Sequence, residues 1–264
     1  MPQHAPSPHT PATAPPAPSV ATPPAPSDAT GPVVLDRRDG PYGEVVLRRH
    51  GEVVQIIANG CFLMDTSDGR SERLLVRAAL AALDDRPRPS LLLGGLGVGF
   101  SLAEAAAEPR WGRITVVERE PAIIAWHRGD PDAPGGDAGR GAAHGPLARI
   151  SAAALADPRT EVVQADLTTL LRAPGDRYDA LCLDVDNGPD WTVTEDNRGL
   201  YTPEGLAACR DRLTPGGVLA VWSARPSPAF EDALRRAGFT AVRTEEVSVA
   251  RGAPDVVHLA SRPA

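Results

Sequence analysis

The chain has 264 residues, a formal net charge of −7 at pH 7 and 27 basic residues, all of which are Arg. Because it contains no Lys, the sequence excludes enzymes that depend on a lysine Schiff base or on the lysine of a Walker A loop. The acidic balance argues against a nucleic-acid partner. No apolar run is long enough to span a membrane and no signal peptide is recognisable, so we expect a cytoplasmic protein without a membrane partner.

The N-terminal quarter of the chain predicts a tail, a small β unit and a helix. Residues 1–32 are mostly Pro, Ala, Ser and Thr, and such a segment cannot bury enough apolar surface to offset its ordering entropy. We therefore predict a disordered tail there. Residues 33–66 predict about three short β-strands, since Asn59-Gly60 is a typical hairpin turn between alternating segments. An apolar face at helical spacing predicts a helix over Ser71–Leu83.

From Ser90 onward strands and helices alternate, which predicts a parallel sheet covered on both faces. The last two strands can pair as a hairpin, so the predicted sheet is mixed and seven-stranded. The predicted strands are Leu91–Leu93, Arg113–Val117, Thr160–Gln164, Ala180–Leu183, Val218–Trp222, Thr240–Val247 and Val256–Ala260. Residues 67–264 thus predict one α/β domain, and the many Gly and Pro of residues 129–146 predict a mobile surface insertion within it.

A glycine-rich loop follows the first strand of this sheet. Gly95, Gly97 and Gly99 form a Gly-x-Gly-x-Gly pattern between that strand and a predicted helix. Glycines at such a turn let a ligand approach the backbone, and the helix N-terminus favours negatively charged groups. Glycine turns also serve tight packing, so the pattern is consistent with either a ligand site or a packing turn.

Two further carboxylates follow the second and third strands. Glu118 ends the second strand, 19 residues after Gly99, where a carboxylate can accept the hydroxyls of a ribose. The alternative is a solvated charge. Asp166 follows the third strand, where its side chain can reach an adenine amino group. Its alternative role is the N-cap of the next helix, and both roles can coexist.

Asp184 and Asp186 follow the fourth strand, in the segment Asp-Val-Asp-Asn-Gly-Pro. Open α/β sheets bind ligands at the carboxyl ends of their strands, and two shielded carboxylates raise each other's pKa. This pair suits the acceptance of a proton from an amine or the holding of a cation; the alternative is turn chemistry. The polar stretch that follows, up to Tyr201, predicts a lid over the site, with Trp191 inside it.

No metal or zinc site is expected elsewhere in the sequence. The three Cys residues form no Cys-x-x-Cys pair, which points to a reducing compartment rather than to a zinc site or a disulfide framework. The His residues are scattered, and none has the spacing of metal ligands.

Four segments resemble the class I S-adenosylmethionine-dependent methyltransferase fold and, more narrowly, the polyamine aminopropyltransferases, the spermidine synthase family. The segments are Leu91–Glu104, Ile114–Glu120, Asp157–Leu171 and Tyr178–Gly217. The stretch from Asp157 to Val163 before Asp166 is similar to the one that precedes the family's adenine-binding Asp. The motif Leu-Tyr-Thr-Pro-Glu at 200–204 is similar to the one after the family's gate loop.

The resemblance implies a Rossmann-like fold and a nucleoside co-substrate, either S-adenosylmethionine or decarboxylated S-adenosylmethionine, without a metal. The implied donor-binding residues are Gly95, Gly97 and Gly99, with Glu118 for the ribose and Asp166 for the adenine. The implied acid–base residue is Asp184, and the implied amine-binding residues are Glu72, Asp186 and Tyr201. The family is commonly dimeric or tetrameric, which implies a homodimer.

The sequence departs from the family pattern at three places. Where the family has Gly-Gly-Gly-Asp-Gly, whose Asp contacts the aminopropyl amine of the donor, this chain has Val98. The family's Tyr-His-Glu appears as Arg-Ser-Glu, of which only Glu72 fits. The family's Asp-Ser-Ser/Thr-Asp-Pro is shortened after Asp184. An acidic pocket for a cationic amine is therefore only partly present in the pattern.

Three functions stay open at this point. The leading hypothesis is transfer of an aminopropyl group from decarboxylated S-adenosylmethionine to a small-molecule amine. The second is methyl transfer from intact S-adenosylmethionine, which Val98 favours. The third is a non-catalytic nucleoside-binding protein, which the missing Tyr-His pair favours, whereas the presence of Glu118, Asp166 and Asp184 speaks against it.

Overall fold

The computed structural model describes residues 31–129, 145–185, 187–190, 192, 197–248 and 254–264. The predicted tail and the predicted insertion fall almost entirely outside the described residues, and so do Asp186 and Trp191. One compact unit spans Pro32–Ala264. None of the helices in the described ranges is long and apolar enough to cross a bilayer.

The N-terminal sheet has four antiparallel strands in the order β1-β2-β3-β4. They are β1 (Val33–Gly40), β2 (Gly43–His50), β3 (Val53–Ala58) and β4 (Cys61–Asp65). The predicted turn is confirmed, since Asn59 and Gly60 both have positive φ. The estimate of about three strands was wrong because it missed β1. That strand contains Asp-Arg-Arg-Asp, a composition that is depleted in strands, and it lies at a sheet edge, where charged side chains are tolerated.

The helices of the described residues alternate with the strands of the second sheet. They are α1 (Arg70–Ala81), α2 (Phe100–Ala107), α3 (Pro121–Arg128), α4 (Ala148–Leu155), α5 (Leu167–Arg172), α6 (Arg198–Tyr201), α7 (Pro203–Arg212) and α8 (Pro228–Arg236). Asp166, Thr202 and Ser227 each accept a backbone N–H of the first turn and so cap α5, α7 and α8.

The second sheet confirms the predicted mixed, seven-stranded arrangement, in the order β10-β11-β9-β8-β5-β6-β7. Its strands are β5 (Ser90–Gly94), β6 (Arg113–Glu118), β7 (Thr160–Gln164), β8 (Tyr178–Leu183), β9 (Leu213–Ser223), β10 (Thr240–Val247) and β11 (Asp255–Ser261). Strands β5 to β9 are parallel, whereas β11 runs antiparallel to β9 and β10 antiparallel to β11.

The chain order reverses at β5, which lies between β6 and β8. The residues of β5 and β8 are almost all buried, as expected for central strands covered on both faces. Leu47 and Ile56 of the N-terminal sheet belong to the same apolar core as Leu75 of α1 and Leu91 of β5. Ligands of open α/β sheets bind in the crevice at such a reversal, next to the carboxyl ends of the strands.

Candidate active site

A cleft of about 1180 Å³ lies at the carboxyl ends of the parallel strands. Six of the nine predicted site residues line it: Glu72, Gly95, Gly97, Glu118, Asp166 and Asp184. Apart from Glu72, each of them ends β6 or lies within three residues of the end of β5, β7 or β8. Because parallel strands end at the same edge of a sheet, residues that are far apart in the sequence meet there.

Two predicted site residues lie away from the cleft. Gly99 precedes α2 with a φ of +98°, and a Cβ there would contact the ring of His127 rather than the cleft. The Tyr201 ring meets the Phe230 ring edge-on with 5.7 Å between centroids, and Tyr201 lines a separate, smaller depression. Asp186 lies outside the described residues.

The Glu118 carboxylate is held at the junction of β6 and the glycine-rich loop. Its Oε2 accepts the Leu96 N–H at 3.0 Å, and its Oε1 accepts the Glu120 N–H at 2.8 Å. Burial raises the pKa of Glu118, and these two hydrogen bonds oppose that rise. Because each carboxylate oxygen has two lone pairs, both oxygens can still accept a hydroxyl from a ligand in the cleft.

Asp166 combines the two roles that its position allows. Its Oδ1 accepts the Thr169 N–H at 2.7 Å and so caps α5. The side chain also lines the cleft, next to Ala165 and Leu167. The N-cap interpretation is therefore confirmed, and the adenine-binding role stays a prediction.

Three carboxyl groups meet in the cleft and form what we call the acidic cluster: Glu72 of α1, Asp184 after β8 and Asp255 at the start of β11. The Ser71 hydroxyl donates to Asp255 Oδ2 at 2.8 Å and lies 3.4 Å from Glu72 Oε2. The Ser101 hydroxyl lies 3.4 Å from Asp184 Oδ2. These long or shared hydrogen bonds leave the carboxylates able to accept further donors from a ligand.

Burial raises the pKa of each member of the acidic cluster, and the charges of other members add to this rise for Glu72 and Asp184. Burial, followed by the charges of Asp184 and Asp255, raises the pKa of Glu72 to about 8. Burial, together with the charge of Asp255, raises the pKa of Asp184 to about 6. Burial raises the pKa of Asp255 as well. The cluster therefore keeps a proton to a higher pH than ordinary carboxyl groups do, and a bound cation would displace that proton.

The ion pairs in the described part of the chain include no member of the acidic cluster. Arg70 and Arg73 flank Glu72 in the sequence but pair elsewhere. Arg70 Nη2 lies 2.6 Å from Asp68 Oδ2, and Arg73 Nε lies 3.8 Å from Glu104 Oε2. The same described ranges contain no group of three His, Cys, Asp or Glu residues that could hold a metal ion. Buried carboxylates without a cationic partner are costly, so the cluster is suited to a ligand that brings positive charge.

Comparison with known proteins finds relatives of one kind. A polyamine aminopropyltransferase of Corynebacterium efficiens is 28% identical over 193 residues, which are 72% of this chain and 33% of that protein. Polyamine aminopropyltransferase 2 of Streptomyces coelicolor is 30% identical over 209 residues, which are 75% of this chain and 34% of that protein. The chain resembles the polyamine aminopropyltransferases. It spans about a third of the length of the curated relatives it matches, and no protein-family model matches it.

The fold agrees with that resemblance. A spermidine synthase solved in complex with the transition-state analogue AdoDATO has a TM-score of 0.67 and 19% identity, and the match covers 87% of this chain and 74% of that one. The predicted Rossmann-like fold with an N-terminal β unit is therefore confirmed.

The glycine-rich loop of the aminopropyltransferase-like chain lacks an acid at Val98. Val98 is fully buried and brings no carboxylate to the loop. Asp255, whose place the sequence did not reveal, brings a third carboxylate to the acidic cluster and lines the cleft together with Trp222. In the sequence, Asp255 is recognisable only as an acid directly before an apolar strand. This pattern does not reveal that β11 borders the cleft.

His127 is the second residue whose place the sequence did not reveal, and it supports the glycine-rich loop. Its Nε2 lies 2.8 Å from the Gly97 carbonyl oxygen, and its Nδ1 lies 2.6 Å from Ser151 Oγ. Burial lowers the pKa of His127 to about 4, so the ring is neutral at pH 7. The Nε2–H then donates to the carbonyl, and the Ser151 hydroxyl donates to Nδ1.

This buried His makes stability depend on pH. The unfolded chain binds a proton at His127 near pH 6.5, but the folded chain does so only near pH 4. The free energy of unfolding should therefore decrease as the pH falls between these values, by up to about 3 kcal/mol from this group. We expect His127→Gln, which cannot titrate, to lose this part of the slope in urea unfolding measured at several pH values. Parallel pH profiles of the two proteins would contradict the assignment.

Proposed function

We propose that the chain transfers an aminopropyl group from decarboxylated S-adenosylmethionine to a small-molecule amine. The observation that carries this proposal is the acidic cluster, which lies in the same cleft as Gly95 and Glu118. A nucleoside donor would lie along the glycine-rich loop, with its ribose at Glu118 and its adenine at Asp166. The relatives named above support this choice of reaction.

The acidic cluster suits a cationic acceptor. Glu72 and Asp255 would hold the charged part of the amine, and Asp184 would face the nitrogen that reacts. Asp186 stays a further predicted contact. Burial disfavours the ionised form of Glu72 when no cation is bound. A bound ammonium would pair with the ionised carboxylate and so favour that form.

The chain's own residues would position the reactants and accept one proton. The deprotonated amine nitrogen attacks the propyl carbon beside the sulfonium. The C–N bond forms as the C–S bond breaks, and 5′-methylthioadenosine leaves with the electron pair of that bond. The proton of the new ammonium passes to Asp184, whose pKa of about 6 suits a general base near neutral pH. Proximity in the cleft supplies much of the remaining rate enhancement.

The decarboxylated donor fits the cleft better than the intact one. Intact S-adenosylmethionine would bring a carboxylate toward three carboxyl groups that have no cationic partner among the described ion pairs. Like charges about 4 Å apart repel by about 4 kcal/mol at an effective dielectric constant of 20. Methyl transfer is the second candidate because Val98 offers no acceptor for the amine of the decarboxylated donor.

Product analysis tests the proposal. The full chain is incubated with 1,4-diaminobutane and either decarboxylated or intact S-adenosylmethionine. The nucleosides and amines are then separated, and their masses are measured by mass spectrometry. We expect 5′-methylthioadenosine and an amine heavier by one aminopropyl group. S-Adenosylhomocysteine from the intact donor would make the chain a methyltransferase, and nucleoside binding without turnover would favour a non-catalytic role. A cytoplasmic location and a homodimer stay predictions.

A further inference from the structure

Both polar atoms of one peptide unit in the glycine-rich loop are held by side chains. The Gly97 carbonyl oxygen faces His127 Nε2 at 2.8 Å, and the N–H of the same peptide unit, which belongs to Val98, donates to Met64 Sδ at 3.3 Å. The carbonyl and the N–H of a trans peptide point in opposite directions. His127 and Met64 therefore fix its orientation from opposite sides.

Met64 covers this loop from the cleft side. It belongs to β4 of the N-terminal sheet and lines the cleft. A Cβ at Gly97 would overlap the Met64 sulfur, so the thioether rests directly on the backbone of the loop. Gly97 also has a φ of +49°, and only glycine combines this conformation with such a close contact at little cost.

The loop is poorly prepared to receive a carboxylate. Four of its five backbone N–H groups are donated within the protein: Gly95 to the Val117 carbonyl, Leu96 to Glu118, Val98 to Met64 and Gly99 to the Leu96 carbonyl. Anions bind such loops through backbone N–H groups. The carboxylate of intact S-adenosylmethionine would therefore meet the Met64 thioether at a place where it needs a hydrogen-bond donor.

Resting on the proposed function, we infer that Met64 is a specificity-determining residue for the donor. Its thioether covers the Val98 N–H. Because this N–H cannot then bind an anion, a donor that carries a carboxylate at the end of its aliphatic tail is disfavoured. The protein then discriminates between the two donors through a side chain of β4 rather than through an acidic residue of the glycine-rich loop. Removing the Met64 side chain exposes the Val98 N–H and the face of Gly97. The carboxylate of intact S-adenosylmethionine then finds both a hydrogen-bond donor and the space to reach it.

Titration calorimetry on the full chain tests this inference with the two donors, which differ only by the carboxylate. The wild-type chain should bind the decarboxylated donor more tightly. Met64→Ala should improve the affinity for the intact donor about tenfold and leave the affinity for 5′-methylthioadenosine, which lacks the tail, within about twofold. Met64→Leu keeps the cover and should keep the wild-type preference. Val34→Ala, at an exposed side chain of the same sheet, is the matched control.

The possible results distinguish a failure of the role of Met64 from a failure of the proposed function. An unchanged ratio of donor affinities in Met64→Ala, with 5′-methylthioadenosine still bound, would overturn the role of Met64 alone. Equal relaxation in Met64→Leu and Met64→Ala would overturn it as well, because the leucine still covers the loop. A wild-type chain that binds neither donor nor 5′-methylthioadenosine would overturn the proposed function itself.

Discussion

Asp184→Asn is expected to lower turnover at least about 100-fold, because an amide cannot accept the proton of the attacking amine. Loss of a general base has this order of effect. The substitution keeps the shape of the side chain and removes one of the repelling charges of the cluster, so we expect the fold and the affinity for 5′-methylthioadenosine to persist. The measurement is the steady-state rate of 5′-methylthioadenosine release at saturating donor and amine.

The pH profile sharpens this first prediction. Burial and the charge of Asp255 raise the pKa of Asp184 to about 6, so wild-type turnover should fall as the pH drops through that value and the base becomes protonated. In Asp184→Asn we expect turnover to be low and no longer to fall as the pH drops through this range. Asp176→Asn removes an exposed carboxylate that pairs with Arg113 and should behave like the wild type. Near-wild-type turnover in Asp184→Asn would exclude the general-base role.

Asp255→Asn is expected to raise the KM for a cationic amine about 30-fold, with kcat within about threefold. Loss of one charged partner of an ammonium in a desolvated site costs at least roughly 2 kcal/mol, which corresponds to that factor. The charge of Asp255 also raises the pKa of both Glu72 and Asp184. Its removal should therefore lower both pKa values and shift the acidic limb of the rate profile to lower pH.

The comparison between two acceptors makes the second prediction specific. With 1,4-diaminobutane the KM should rise in Asp255→Asn, whereas with 1-aminobutane, which carries no second charge, it should change little. Asp232→Asn, at an exposed carboxylate of α8 that pairs with Arg235, is the control for a general loss of negative charge. Equal KM values in wild type and Asp255→Asn for the diamine would remove Asp255 from the acceptor site.

Much of the cleft was predictable because its residues follow strands. Gly95, Glu118, Asp166 and Asp184 each lie at or just after the carboxyl end of a parallel strand. The alternation of strands and helices predicts that such ends share one edge of the sheet, so local patterns sufficed to bring these residues together. Glu72 was assigned by resemblance alone, and α1 places it in the same cleft.

The remaining cleft residues depend on contacts that no local pattern encodes. Asp255 reaches the cluster because β11 pairs with β9 in the antiparallel part of the sheet, and its partner Ser71 lies 184 positions away in the sequence. Met64 reaches the glycine-rich loop from the other sheet. Tyr201 was assigned to the amine by resemblance. Its ring packs edge-on against Phe230 of α8, and its role in binding the amine stays a prediction.

We propose that the acidic cluster holds the positive charge of the acceptor. Because the pKa of Glu72 is about 8 in the free cleft, a bound ammonium should release a proton from the cluster at pH 7. The most direct measurement is calorimetric titration of 1,4-diaminobutane into the full chain with 5′-methylthioadenosine bound, in two buffers of different ionisation enthalpy. We expect binding with a buffer-dependent enthalpy that reports proton release, and a smaller release in Glu72→Gln. Binding with the same enthalpy in both buffers, or no binding of the diamine, would contradict it.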